Sequence, residues 1–131
     1  MAYRFKITTA NAALNGVTAL FPASSILAIY MNTIPTDADT ATSGQTLLSS
    51  VTLPATPLAA AAARAVAKSG TWQDPSASAG SAATPTWFRL KNAGDTERID
   101  GTCGIGSGDM SFDGTITAAQ VITITAFGIT D

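Results

Sequence analysis

The first apolar pattern along the chain is an alternation. In "YRFKIT" (residues 3–8), Tyr3, Phe5 and Ile7 alternate with Arg4, Lys6 and Thr8, the period of two expected of a strand with one buried face. Over residues 11–21 the spacing lengthens: Ala12, Leu14, Val17 and Phe21 recur near helical intervals, with Asn11 as a candidate cap and Pro22 as a stop. That predicts a short helix. "SILAIYM" (25–31) is almost continuously apolar and should be a central strand covered on both sides.

Residues 32–45 gather Pro, Asp, Gly, Thr and Ser, a loop composition, and "TLLSSVTL" (46–53) follows as a strand. Pro54 and Pro57 then break the chain before the Ala-rich run 58–70. Alanine favours helix by propensity, yet sheet surroundings favour a thin strand over 61–69. Residues 70–83 read as a long exposed loop anchored by Trp72. From Thr86 on, Phe88 and Leu90 alternate with Trp87, Arg89 and Lys91, so one face should be buried and the other wet. Ala93–Asp95 supplies a turn, and residues 96–104 should return antiparallel. In the terminal stretch Ile122 and Ile124 share one face while Phe127 and Ile129 take the other. A bulge, or a bend between two sheets, would slip the phase in this way near Ala126.

These elements predict a mainly β fold: a single domain over 1–131, an antiparallel β-sandwich or jelly roll with one short N-terminal helix. The 131 residues suit one core. The uncharged stretch between Lys6 and Asp37 contains "AALNGVTALFPASSILAIYM" (12–31), which could be mistaken for a membrane span. Asn15, Gly16, Pro22, Ser24 and Ser25 interrupt it, so neither a span nor the leader that Arg4 and Lys6 would loosely open is expected. No membrane partner is expected.

Charge alters the picture in one place. Only 12% of residues are charged, so few groups would need costly desolvation if neighbours covered the surface. Net charge is −2 and the seven basic residues are scattered, which gives no footprint for direct nucleic-acid binding. Yet residues 84–101 hold six charges: Arg89, Lys91, Asp95, Glu97, Arg98 and Asp100. Cross-strand pairing of Arg89 and Lys91 with Glu97 and Asp100 would account for them as solvated pairs, each contributing roughly 0.2–1 kcal/mol. The acidic members could also stand at a glycosidase spacing, but an exposed hairpin makes no water-excluding cleft.

Other candidate chemistry is sparse. With no histidine and Cys103 as the only cysteine, histidine-based nucleophile systems, histidine-ligated metals and intrachain disulfides are excluded. Gly104-x-Gly106-x-Gly108 lacks the lysine and following helix of a phosphate loop, and reads as a turn needing positive φ. The Asp37–Asp39 pair, and Asp109 near Asp113–Gly114, could contribute to a calcium site but fit ordinary Asx turns better. No cofactor is expected. Trp72 and Trp87 could offer sugar-stacking faces, or serve as anchors in a core or an interface.

A composite of motifs resembles a family of small structural proteins of tailed bacteriophages and prophages. Its pieces are Trp87-Phe88-Arg89, Gly94-Asp95, Asp100-Gly101, Gly106-Ser107-Gly108-Asp109 and a closing strand from Val121 to Thr130, with the passage "LAIYMNTIPTDADTATSGQTLLSSVTL" upstream. The likeness spans about residues 26–131; the Ala-rich 58–67 block and the Tyr3–Thr8 strand depart from it. It implies a non-enzymatic virion component. The expected role is a capsid decoration or cement protein bound in many copies to the outer head surface, with tail, baseplate or collar as the structural alternative. A carbohydrate-binding or adhesin module is the alternative from another class. Expected partners are the major capsid protein, other virion proteins and further copies of the chain. Expected contact residues are Tyr3, Phe5, Thr36, Asp37, Trp72 and Trp87.

Overall fold

The structure, a computed structural model, describes residues 4–78 and 82–130. In chain order its elements are helix α1 (Ile7–Ala19) and strands β1 (Ile26–Met31), β2 (Thr46–Thr52), β3 (Ala65–Ala67), β4 (Trp72–Asp74), β5 (Trp87–Lys91), β6 (Arg98–Ile105), β7 (Met110–Phe112), β8 (Ile122–Ile124) and β9 (Gly128–Thr130). The fold is mainly β with one short helix, as the patterning predicts. A five-stranded sheet runs β2–β1–β5–β6–β7, and the two-stranded ribbons β3–β9 and β4–β8 complete a partly sandwich-like arrangement. Every pairing is antiparallel except β6–β7, which is parallel.

β1 lies inside the sheet between β2 and β5, where its continuous apolar run belongs. Leu27 and Ile29 face the main core with Val51, Leu90, Trp72 and Ile124. Ala28 and Tyr30 face the other side and form a smaller cluster with Trp87, against which Ile34 and Leu47 pack. The predicted wet face of β5 is therefore corrected: Trp87 and Arg89 are 0% and 2% exposed, because residues 32–45 fold back over that side of the sheet.

The expected strand over 3–8 is also corrected. Arg4–Lys6 are exposed and outside any strand, and Ile7 opens the helix. Helical phase prevails from residue 7 because Ala10 and Leu14, four apart on one face, are both buried, with Val17 half-buried beside them. Asn11, expected as a cap, sits inside the helix, and its side-chain oxygen accepts the Arg64 N–H at 3.0 Å. One turn later Asn15 accepts the Ala61 N–H at 2.8 Å.

Those two asparagines hold the Ala-rich segment, which is a tight hairpin rather than one strand over 61–69. Bridges join Leu58 to Lys68 and Ala62 to Ala65. Ala63 and Arg64 turn between them at φ of 49° and 66°, the conformation of a two-residue hairpin turn with both central residues left-handed. Nor is 70–83 a single exposed loop, since Trp72–Asp74 pairs with β8 and Ala77 is buried. The phase slip near Ala126 is a bend: β8 pairs with β4, and after residues 125–127 β9 pairs with β3. No helix among the described residues is long and apolar enough to cross a membrane, and residues 12–31 are divided between α1 and β1.

Candidate functional site

The charged hairpin holds the densest group of charges in the chain. β5 and β6 pair with Arg89 opposite Asp100 and Lys91 opposite Arg98. Asn92 shapes the turn: its Oδ1 accepts the N–H of Thr96 at 2.8 Å and of Glu97 at 3.3 Å. Asp95 completes the turn at φ 55°, a left-handed position that aspartate tolerates.

Arg89 donates to both Asp100 oxygens, each at 2.7 Å, with the two side chains only 3% and 9% exposed. Its guanidinium also lies 5.5 Å from the Trp87 ring centre, and Trp87 stacks on Tyr30 at 4.4 Å. The hydrogen bonds to Asp100 push the Arg89 pKa further up. This pair is a buried fastening, which corrects the expectation of solvated pairs. Arg98 makes the outer fastening. It donates to both Asp95 oxygens at 2.7 and 3.0 Å, and to the carbonyls of Ala38 and Asp39 at 3.2 and 3.0 Å, tying the 32–45 loop to the sheet. The Arg98 hydrogen bonds hold the Asp95 carboxyl below its usual range, the wrong direction for a general acid.

The remaining candidates are engaged in local structure. Asp37, at the exposed tip of the 32–45 loop beside exposed Thr36, accepts the Thr40 N–H and hydroxyl at 2.9 and 2.7 Å, which lowers its pKa. Asp109 accepts the Thr102 N–H and hydroxyl at 2.8 and 2.9 Å, with the same effect. No group of three or more acidic or cysteine side chains among the described residues could hold a metal ion. Gly106 and Gly108 adopt φ of 69° and 89°, as a turn motif requires. Burial pushes the Cys103 thiol up to about 12.

Of the expected contact residues, Phe5 is 49% exposed and Thr36 and Asp37 are exposed, whereas Tyr3 lies outside the described residues. Trp72 and Trp87 are fully enclosed within the chain, so neither presents a ring face to a partner or a sugar. Trp72 anchors the main core, with Phe127 at 5.1 Å and its indole N–H donated to the Ser69 carbonyl at 3.1 Å. Both rings read as packing anchors because their strands are covered on two sides, a fact that sequence alternation conceals.

The feature that sequence reasoning missed is a groove of about 830 Å³ between β7 and the 123–128 segment. It is lined by residues including Asp109, Ser111, Phe112, Asp113, Phe127 and Gly128. Glycine spacing marked the loop at its mouth but gave no sign of an opposing wall. That wall follows β7 only after an intervening loop.

In comparisons with protein-family models, with curated proteins and with solved structures, the chain matches none.

Proposed function

We propose that the chain is a non-catalytic structural subunit of a tailed-bacteriophage virion, seated in many copies on the outer head surface as a decoration or cement protein. Its partners in this reading are the major capsid protein and further copies of itself. The observation that carries the proposal is the composite resemblance over residues 26–131. The placement of its pieces supports it. Trp87-Phe88-Arg89 opens β5, Gly94-Asp95 makes the hairpin turn, and Asp100-Gly101 sits in β6.

The charge arrangement agrees with an assembly role. Arg89, Asp95, Arg98 and Asp100 are all engaged in fastening the sheet and its covering loop. What remains outside is a low-charge surface with little to desolvate on contact. Many weak seats of this kind stabilise a shell collectively once neighbours hold each copy in place. Burial of Trp72 and Trp87 counts against the glycan-binding alternative, and specific signal on a glycan array would revive it. Quantitative mass spectrometry of purified particles tests the main reading. Hundreds of copies per virion support a head location, and a handful would move the chain to the tail, baseplate or collar.

A further inference from the structure

Two backbone edges bound the groove. β7 closes its sheet and, among the described residues, pairs only with β6. The Gly106 N–H donates to the Phe112 carbonyl at 3.0 Å, and the regular alternation of a parallel ladder then turns the Ser111 N–H and C=O away from β6. Across the groove the Lys68 N–H donates to the Phe127 carbonyl at 2.9 Å. In the antiparallel β3–β9 register, the backbone groups of Gly128 therefore point away from β3. Open edges of this kind are templates for an added strand.

The side chains along the β7 edge alternate in character. Asp109, Ser111 and Asp113 take one face, Met110 and Phe112 the other. No basic residue lines the groove. The complementary alternation occurs in the sequence at the other end of the chain, where Arg4 and Lys6 alternate with Phe5 and Ile7, the last of these being the first residue of α1. No acidic residue precedes Asp37. This is the stretch whose strand pattern goes unfulfilled within its own chain. Phe5 and Ile7 stand 49% and 47% exposed, and the first turn of α1 has neither a side-chain cap nor an acidic residue. Such a turn lacks the contribution a cap would make, and the Arg64 guanidinium, which donates to the Phe5 carbonyl, ties the segment before it to its own chain. Thr8 and Thr9 continue the β-branched composition.

We propose that the groove receives residues 4–9 of a neighbouring copy as an added strand on the β7 edge, residues 7–9 leaving the first turn of α1 to do so. Paired strands set like faces together. Phe5 and Ile7 then meet Phe112 and Phe127, while Arg4 and Lys6 meet Asp109 and Asp113. The inference goes beyond the virion reading and stands without it, since both partners are this chain.

Sedimentation velocity of the full chain at rising concentration tests it. Association is expected, weakening about tenfold or more between low and high salt. Arg4→Glu with Lys6→Glu should abolish it, as should Asp113→Lys, and mixing those two variants should restore a heterotypic complex because the unaltered arm of one then meets the unaltered groove of the other. Phe5→Cys with Phe112→Cys, in a Cys103→Ser background, should give intermolecular disulfides, with circular dichroism confirming that each variant folds. A wild-type chain that stays monomeric throughout, association indifferent to the arm reversal, failure of the mixture to associate, or disulfides formed only within one chain would each overturn the proposal.

Discussion

Replacing Asp100 by Asn removes the carboxylate that receives both Arg89 hydrogen bonds at 2.7 Å, while leaving a guanidinium whose side chain is only 3% exposed. Breaking one partner of a buried pair costs about 3–5 kcal/mol, because the remaining charge stays desolvated. The Arg98–Asp95 pair offers an internal comparison, with side chains 18% and 42% exposed. Asp95→Asn should cost only about 0–1 kcal/mol. Against a total stability on the order of 5–15 kcal/mol, the first change is severe and the second minor. With about 3–5 °C of melting temperature per kcal/mol for a domain of this size, Asp100→Asn should melt roughly 10–20 °C lower and Asp95→Asn within a few degrees of the parent. Calorimetry and urea unfolding measure both. Losses equal to within about 1 kcal/mol would refute the assignment of a buried pair. Arg89→Met with Asp100→Leu supplies the control. Removing both charges should recover most of the loss, and failure to do so would locate the effect in packing.

Cys103, buried and with its pKa pushed up to about 12, should resist a thiol reagent at mildly alkaline pH until the chain unfolds; rapid modification of the native protein would contradict its placement. Gly108→Ala forces a side chain onto φ 89° with its Cβ 2.9 Å from the Cys103 backbone, so chemical denaturation should show a loss of about 1–3 kcal/mol. Gly94→Ala meets nothing within 4 Å and should stay within about 0.5 kcal/mol. Burial raises the Asp74 pKa, but hydrogen bonds from the Ser49 hydroxyl and the Ser76 and Ser50 N–H groups outweigh it, leaving the folded pKa below its ordinary value. Its stabilisation is therefore present above the unfolded pKa and lost as pH falls through the folded one. Asp74→Asn should lower stability at neutral pH and flatten the acid limb of the stability–pH curve; an unchanged acid limb would contradict this.

Short-range pattern alone determined much of this protein. The continuous apolar run of β1 could lie only inside a sheet. The β5–β6 hairpin was legible because Ala93–Asp95 supplies turn chemistry between alternating runs, and the slip near Ala126 marked the change of partner between β8 and β9. What covers each face was a tertiary decision. Alternation says that Trp87 and Arg89 point away from the main core, yet only the return of residues 32–45, tied down by Arg98, makes that side dry and turns a surface ion pair into a buried one. Two asparagines one helical turn apart hold the Ala-rich hairpin across some fifty residues of sequence, a contact that no local propensity encodes. The groove was illegible for the same reason, since its walls are β7 and a segment that follows it only after an intervening loop. Periodicity records which side chains share a face. Which element closes over that face depends on long-range packing, and the period of two that opens the chain yields to helix from Ile7 because Ala10 and Leu14 bury one face of α1.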